Sequence, residues 1–153
     1  MVNFQKEHYS YEDMLEIMRL LRAPGGCPWD AEQTHESIRR NFLEETCEAV
    51  EAIDNHDMPA LREELGDVLM QVIFHAQMEA EVGGFTMQDV IDGLCRKLVY
   101  RHPHVFSDVK VANSDEVLTN WEALKRQEKA QRSTADAIDA VAKTLPALWR
   151  AEK

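Results

Sequence analysis

The chain has 153 residues, enough for one domain with a single core, and 28 acidic residues against 17 basic ones give it a formal net charge of −11. That excess of acid leaves no basic footprint for a phosphate backbone, so nucleic acid is not an expected partner. No apolar run approaches the ~18 residues of a membrane span, and the first ten residues are polar, so a cytoplasmic protein without a membrane segment is expected.

In chain order, Ser10-Tyr11-Glu12-Asp13 reads as a capping box opening a first helix, whose apolar set is Met14, Leu15, Ile17, Met18 and Leu21. The breakers of Ala23-Pro24-Gly25-Gly26-Cys27-Pro28 end it. A second helix is predicted to start between Asp30 and Thr34 and to run to about Asn55. Asp57 can cap a third, with Pro59 tolerated in its first turn and Gly83-Gly84 at its end. Thr86-Met87-Gln88-Asp89 is another capping box, for a fourth helix that stops near His102-Pro103, where residues 102–106 read as a turn. Ser114 can cap a fifth helix carrying Val117, Leu118, Trp121 and Leu124. Val, Ile and Thr nowhere alternate with polar residues for long enough to make a strand, so the predicted fold class is all-α, a helical bundle. Residues 1–132 are assigned to this bundle. Residues 133–153, with Leu145, Leu148 and Trp149, are assigned to a connector or docking arm, and the ending at Lys153 suggests that the natural protein continues. The three cysteines, Cys27, Cys47 and Cys95, form no CxxC and read as small core or loop residues.

The chemistry concentrates in two segments that spell one pattern, acid-acid-x-x-acid: Glu44-Glu45-x-x-Glu48 and Glu63-Glu64-x-x-Asp67. At 100° per residue each places its acids on an arc of roughly 100°. On the second helix Phe42, Thr46, Ala49, Val50 and Ile53 lie opposite; on the third, Leu61, Leu65, Val68, Leu69, Val72 and Ala76. The short linker through Asn55-His56-Asp57 allows an antiparallel hairpin in which the acidic arcs face each other. Spacing alone is equally what a solvated amphipathic face shows. Met70, Phe74 and Met78, however, continue the face of Glu63 and Asp67, so that face is expected to be covered by another helix or another subunit. Two like charges ~4 Å apart repel by about 4 kcal/mol at an effective dielectric near 20, so covered acids need protons or a cation. An all-oxygen donor set suits Mg²⁺, with Mn²⁺ as a substitute. A di-iron site needs Glu-x-x-His on two helices, and Glu32-x-x-His35 is a single pair at a helix start.

Further on, Lys97 and Arg101 stand i, i+4 on the fourth helix, suited either to complement the helix dipole or to contact phosphate. Trp121 and Lys125 have the same spacing on the fifth; Trp121 reads as a core anchor or a stacking platform for a base. No Walker loop, GxGxxG or Ser-His-Asp order occurs, so phosphate chemistry here has to be metal-driven.

Cys27-Pro28-Trp29-Asp30-x-x-Gln33-Thr34, Leu43-Glu44-Glu45-x-x-Glu48, Glu64-Leu65-Gly66-Asp67 and Arg101-His102-Pro103-His104-Val105-Phe106, in that order, resemble the MazG nucleotide pyrophosphohydrolases over about residues 10–150. The resemblance implies a fold of the all-α NTP pyrophosphatase type. It also implies a hydrolase acting on phosphoric anhydrides, which cleaves nucleoside triphosphate to nucleoside monophosphate and pyrophosphate. It casts Glu45, Glu48, Glu64 and Asp67 as Mg²⁺ ligands, Lys97 and Arg101 as phosphate contacts, and Trp121 with Lys125 as base and phosphate contacts. Glu44, beside the ligands, is the candidate for orienting or deprotonating the attacking water. A homodimer or higher homo-oligomer is expected. Family members often carry two modules in tandem, and this chain resembles the first with the start of a connector at Leu145-Pro146-Ala147-Leu148. The alternative is a non-catalytic nucleotide-binding or oligomerisation module of such a protein.

Overall fold

The computed structural model describes residues 4–128, 136, 138 and 140–151. Its elements are α1 (Tyr11–Arg22), α2 (Pro28–Glu32), α3 (His35–Asp54), α4 (Met58–Glu81), α5 (Met87–Arg101), α6 (Pro103–Phe106), α7 (Ser114–Glu128) and α8 (Ala147–Ala151). No strand occurs among the described residues, and the fold is all-α. The chain divides into two compact units, Met1–Ile91 and Asp92–Lys153, with α5 running through the boundary. The expected boundary at 132/133 falls outside the described residues.

Local signals set the helix ends. Ser10 and Asp13 close the predicted capping box of α1, and Thr34 with Ser37 closes one on α3. Asp57 accepts the Ala60 N–H at 3.0 Å to cap α4. Such caps satisfy N–H groups that the helix leaves without partners, each worth about 1 kcal/mol. At α7 the cap is Asn113, one residue before the expected Ser114: the Asn113 Oδ1 accepts the Glu116 N–H at 3.0 Å. Two short helices replace segments read as loop or turn. Pro28 at N1 starts α2 and Pro103 starts α6, because proline's fixed φ favours a first helical turn.

The core of the first unit is Met18 of α1, Ile38 of α3, and Ile73, Phe74 and Met78 of α4, with Met14, Leu15, Met70 and Met87 packed around it. Arg22, with only 7% of its side chain exposed, ties the loop region to the end of α4. Its guanidinium pairs with Glu81 at 2.9 Å, donates to the carbonyls of Asp30 and Gln33 at 2.5 and 3.3 Å, and lies 5.2 Å from the Phe74 ring centre. These bonds fix residues 27–34 against the hairpin of α3 and α4.

The structure reassigns the faces of that hairpin. Met70, Phe74 and Met78 pack inside the first unit, against α1 and α3, so of the two expected covers, another helix or another subunit, it is neighbouring helices that bury this face. Leu65 and Leu69, on the side of α4 opposite the acids, are 55% and 46% exposed, and Val50 (40%) and Ile53 (51%) on α3 are exposed as well. The reason is that α4 is apolar almost all round after Asp67, so the neighbouring helices decide which side packs. Cys47 and Cys95 are also exposed, on α3 and α5, and not core residues; all three cysteines are free thiols.

Candidate metal centre

The turn at residues 55–57 sends α4 back antiparallel to α3. Contacts along the pair show the register: His35 meets His75, Ile38 and Phe74 share the core, and Glu45 feels Asp67. Glu45, Glu48 and Glu64 consequently converge, each presenting a carboxylate oxygen within 4.8 Å of the others. Asp67 is outside that tight group but close enough to raise the pKa of both Glu45 and Glu64.

The electrostatics are those of crowded, partly dried carboxylates. Glu45 is half-buried, and loss of solvent pushes its pKa above the ordinary range, with Asp67, Glu48 and Glu64 adding repulsion and a hydrogen bond to Glu48 adding more. Glu64 is raised in the same way, by loss of solvent first and then by Glu48, Asp67 and Glu63. Both shifts mean that negative charge is disfavoured here unless a positive partner arrives. The donor set is all carboxylate oxygen, drawn from two helices, and fits a hard divalent cation that retains some waters.

The other site residues divide between the two units. Glu44 is exposed and paired with Arg40 at 2.8 Å, outside the converging group. In the second unit, Arg101 is 10% exposed and held by Glu128 of α7 at 2.7 Å. Trp121 is half-buried, with its ring centre 5.8 Å from that of His102 and its indole N–H buried without an acceptor. Lys97 is half-buried on α5, and Lys125 pairs with Glu122 at 3.3 Å.

Two polar features were missed in the sequence. His35 and His75 stack with ring centres 5.0 Å apart and 4° between planes, their Nδ1 atoms at 2.7 Å. The His35 Nε2 sits 2.8 Å from a Glu79 oxygen. With Glu79 accepting the Nε2–H of His35, one of the two facing Nδ1 atoms donates its proton and the other accepts it. Burial, and then repulsion from His35, hold the His75 pKa below the usual histidine range. His35 is thus turned toward α4 as structural glue, not toward Glu32 as half of an iron site. The second feature is Gln71, buried among the apolar residues of α4. Nothing in the sequence separates it from His75 and Gln77, the other polar residues between Val68 and Met78.

Residues 33–106, which contain the whole acidic cluster, match the MazG nucleotide pyrophosphohydrolase domain. Over 141 residues the chain is 49% identical to the nucleoside triphosphate pyrophosphohydrolase of Escherichia coli K12, covering 92% of this chain and 54% of that protein. It is also 49% identical over 146 residues to the Bacillus subtilis protein YabN, covering 95% of this chain and 30% of the relative. The chain therefore spans about half the length of one of these relatives and under a third of the other. Among solved structures, a mazG-related protein from Thermotoga maritima superimposes with a TM-score of 0.62 at 28% identity, covering 75% of this chain and 98% of that one. With the paired acid motifs on adjoining helices, the matched domain and the shared all-α fold in agreement, the chain belongs to the MazG nucleotide pyrophosphohydrolase family.

Proposed function

We propose that the protein hydrolyses nucleoside triphosphates to nucleoside monophosphate and pyrophosphate at a divalent-cation centre formed by Glu45, Glu48, Glu64 and Asp67. The observation that carries this reading is the convergence of three carboxylates from two helices within 4.8 Å. Mg²⁺ is the proposed ion, with Mn²⁺ able to replace it. When bound, it would supply charge neutralisation for phosphate oxygens and a more acidic bound water. The chain's own residues do the rest. The four carboxylates hold the cation, and Glu44, once released from Arg40, orients the attacking water. Lys97, Arg101 and Lys125 are assigned to phosphate and Trp121 to the base; a phosphate claiming Arg101 has to displace Glu128. No covalent nucleophile is involved. Purified protein should release pyrophosphate from a panel of NTPs and dNTPs with Mg²⁺, and EDTA should stop it. Failure to turn over any of them would favour a non-catalytic module instead.

The same reading includes self-association and a cytoplasmic location. No helix among the described residues is long and apolar enough to cross a membrane, and the free thiols agree with a reducing compartment. Leu65 and Leu69 on α4, with Val50 and Ile53 on α3, leave large apolar side chains in water on the hairpin that carries the acids. We assign that face to contact with a second copy. Leu69→Glu should halve the mass seen by light scattering at micromolar concentration or shift it toward monomer. A wild-type protein that is already monomeric there would overturn the assignment.

A further inference from the structure

Gln71 is only 5% exposed, and its side-chain oxygen is fully buried with no hydrogen-bond donor in reach. An acceptor left unpaired in a core is costly and uncommon, and usually marks a missing water or ion. Its position on α4 says where that donor would come from. Gln71 follows Glu64 by seven residues and Asp67 by four, so at 100° per residue it lies within about 40° of both around the helix. It therefore continues the face of Glu64 and Asp67 along α4, two turns beyond Glu64 and one beyond Asp67. Ionised carboxylates offer no proton to a carboxamide oxygen, so the acidic cluster cannot satisfy it. A hydrated divalent cation can, because its retained waters are strong donors and are commonly held by polar groups behind the direct ligands.

We propose that Gln71 is a positioning residue of the metal centre, its Oε1 accepting a hydrogen bond from a water carried by the cation that Glu45, Glu48 and Glu64 hold. The inference rests on the metal reading above and adds a residue to it that makes no direct bond to the ion. In this role Gln71 orients the cation's water shell from the buried end of the cluster, and the unpaired oxygen is the cost of keeping that place ready.

The test is Mg²⁺ affinity of the full chain by calorimetry, with metal-free melting temperatures alongside. Gln71→Met keeps length and volume but offers no comparable acceptor. It should melt, without metal, at or above wild type, because the orphaned oxygen is gone, and bind Mg²⁺ roughly tenfold or more weakly. Gln71→Glu keeps an acceptor and adds charge, so it should melt lower without metal and bind Mg²⁺ at least as tightly as wild type. Wild-type binding with an undiminished affinity in Gln71→Met would overturn the role of Gln71 and leave the metal centre standing. If Gln71→Met does not fold, weaker Mg²⁺ binding by a folded Gln71→Glu would overturn it instead. Absence of Mg²⁺ binding by wild type would remove the metal reading itself, and this inference with it.

Discussion

Glu48→Gln is expected to lower Mg²⁺-dependent turnover by roughly 100-fold or more, because it removes one of the oxygens that fix the cation and with it several kcal/mol of charge stabilisation. The same substitution should erase the stabilisation that Mg²⁺ gives the wild type. A ligand at 100 times its Kd adds ~2.7 kcal/mol, which for a domain of this size is a rise of about 5–10 °C in melting temperature. Without metal the order should reverse. Glu45, Glu48 and Glu64 crowd within 4.8 Å, and replacing one anion with a neutral amide relieves the repulsion felt by the other two. The variant should therefore melt at or above wild type in EDTA. Glu51, exposed and one turn further along α3, supplies the control: Glu51→Gln should keep both the activity and the Mg²⁺ response. A Mg²⁺-induced shift that survives intact in Glu48→Gln would remove Glu48 from the centre.

Ile73→Ala should cost about 2–5 kcal/mol of folding stability, a large part of the roughly 5–15 kcal/mol that a domain has to lose. Ile73 is 1% exposed at the junction of α1, α3 and α4, where Met18, Ile38, Phe74 and Met78 close around it. Truncation leaves a cavity among side chains anchored on three different helices, which limits how far the site can collapse. The effect bears on function, since this junction holds α3 and α4 in the register that brings their acids together. Urea denaturation measures it directly, with Ile73→Val expected to cost about 1 kcal/mol in the same experiment. A loss below that for Ile73→Ala would place the residue outside the core.

Much of this was legible in the residues. Capping boxes at Ser10 and Thr86 and the cap at Asp57 located helix starts closely, because a side chain that satisfies free N–H groups is a local signal needing no tertiary contact. The twin acid patterns on either side of a short turn were enough to expect a hairpin with facing carboxylates. What periodicity left open was which side of α4 packs in the core. From Val68 to Met78 the helix is apolar on nearly every side, and periodicity cannot choose a face that tertiary packing alone selects. Met70, Phe74 and Met78 were expected under another helix or another subunit, and α1 and α3 cover them, while Leu65 and Leu69, opposite the acids, stay 55% and 46% exposed. The stacked pair His35 and His75 stayed hidden because the two are 40 residues apart in sequence, and only the register of α3 on α4 brings them together. Gln71 shares the run from Val68 to Met78 with two other polar residues, His75 and Gln77, and stands apart from them only once its oxygen is seen to be buried and unpaired.

In the function proposed above, the acidic hairpin supports cleavage between the α and β phosphates. Phosphorus NMR of an NTP incubated with the purified chain and Mg²⁺ reads this directly. Resonances of nucleoside monophosphate and pyrophosphate should grow in equal amounts, be absent in EDTA, and grow at about a hundredth of that rate or less with Glu48→Gln. Nucleoside diphosphate with orthophosphate, or the same turnover in EDTA, would contradict it.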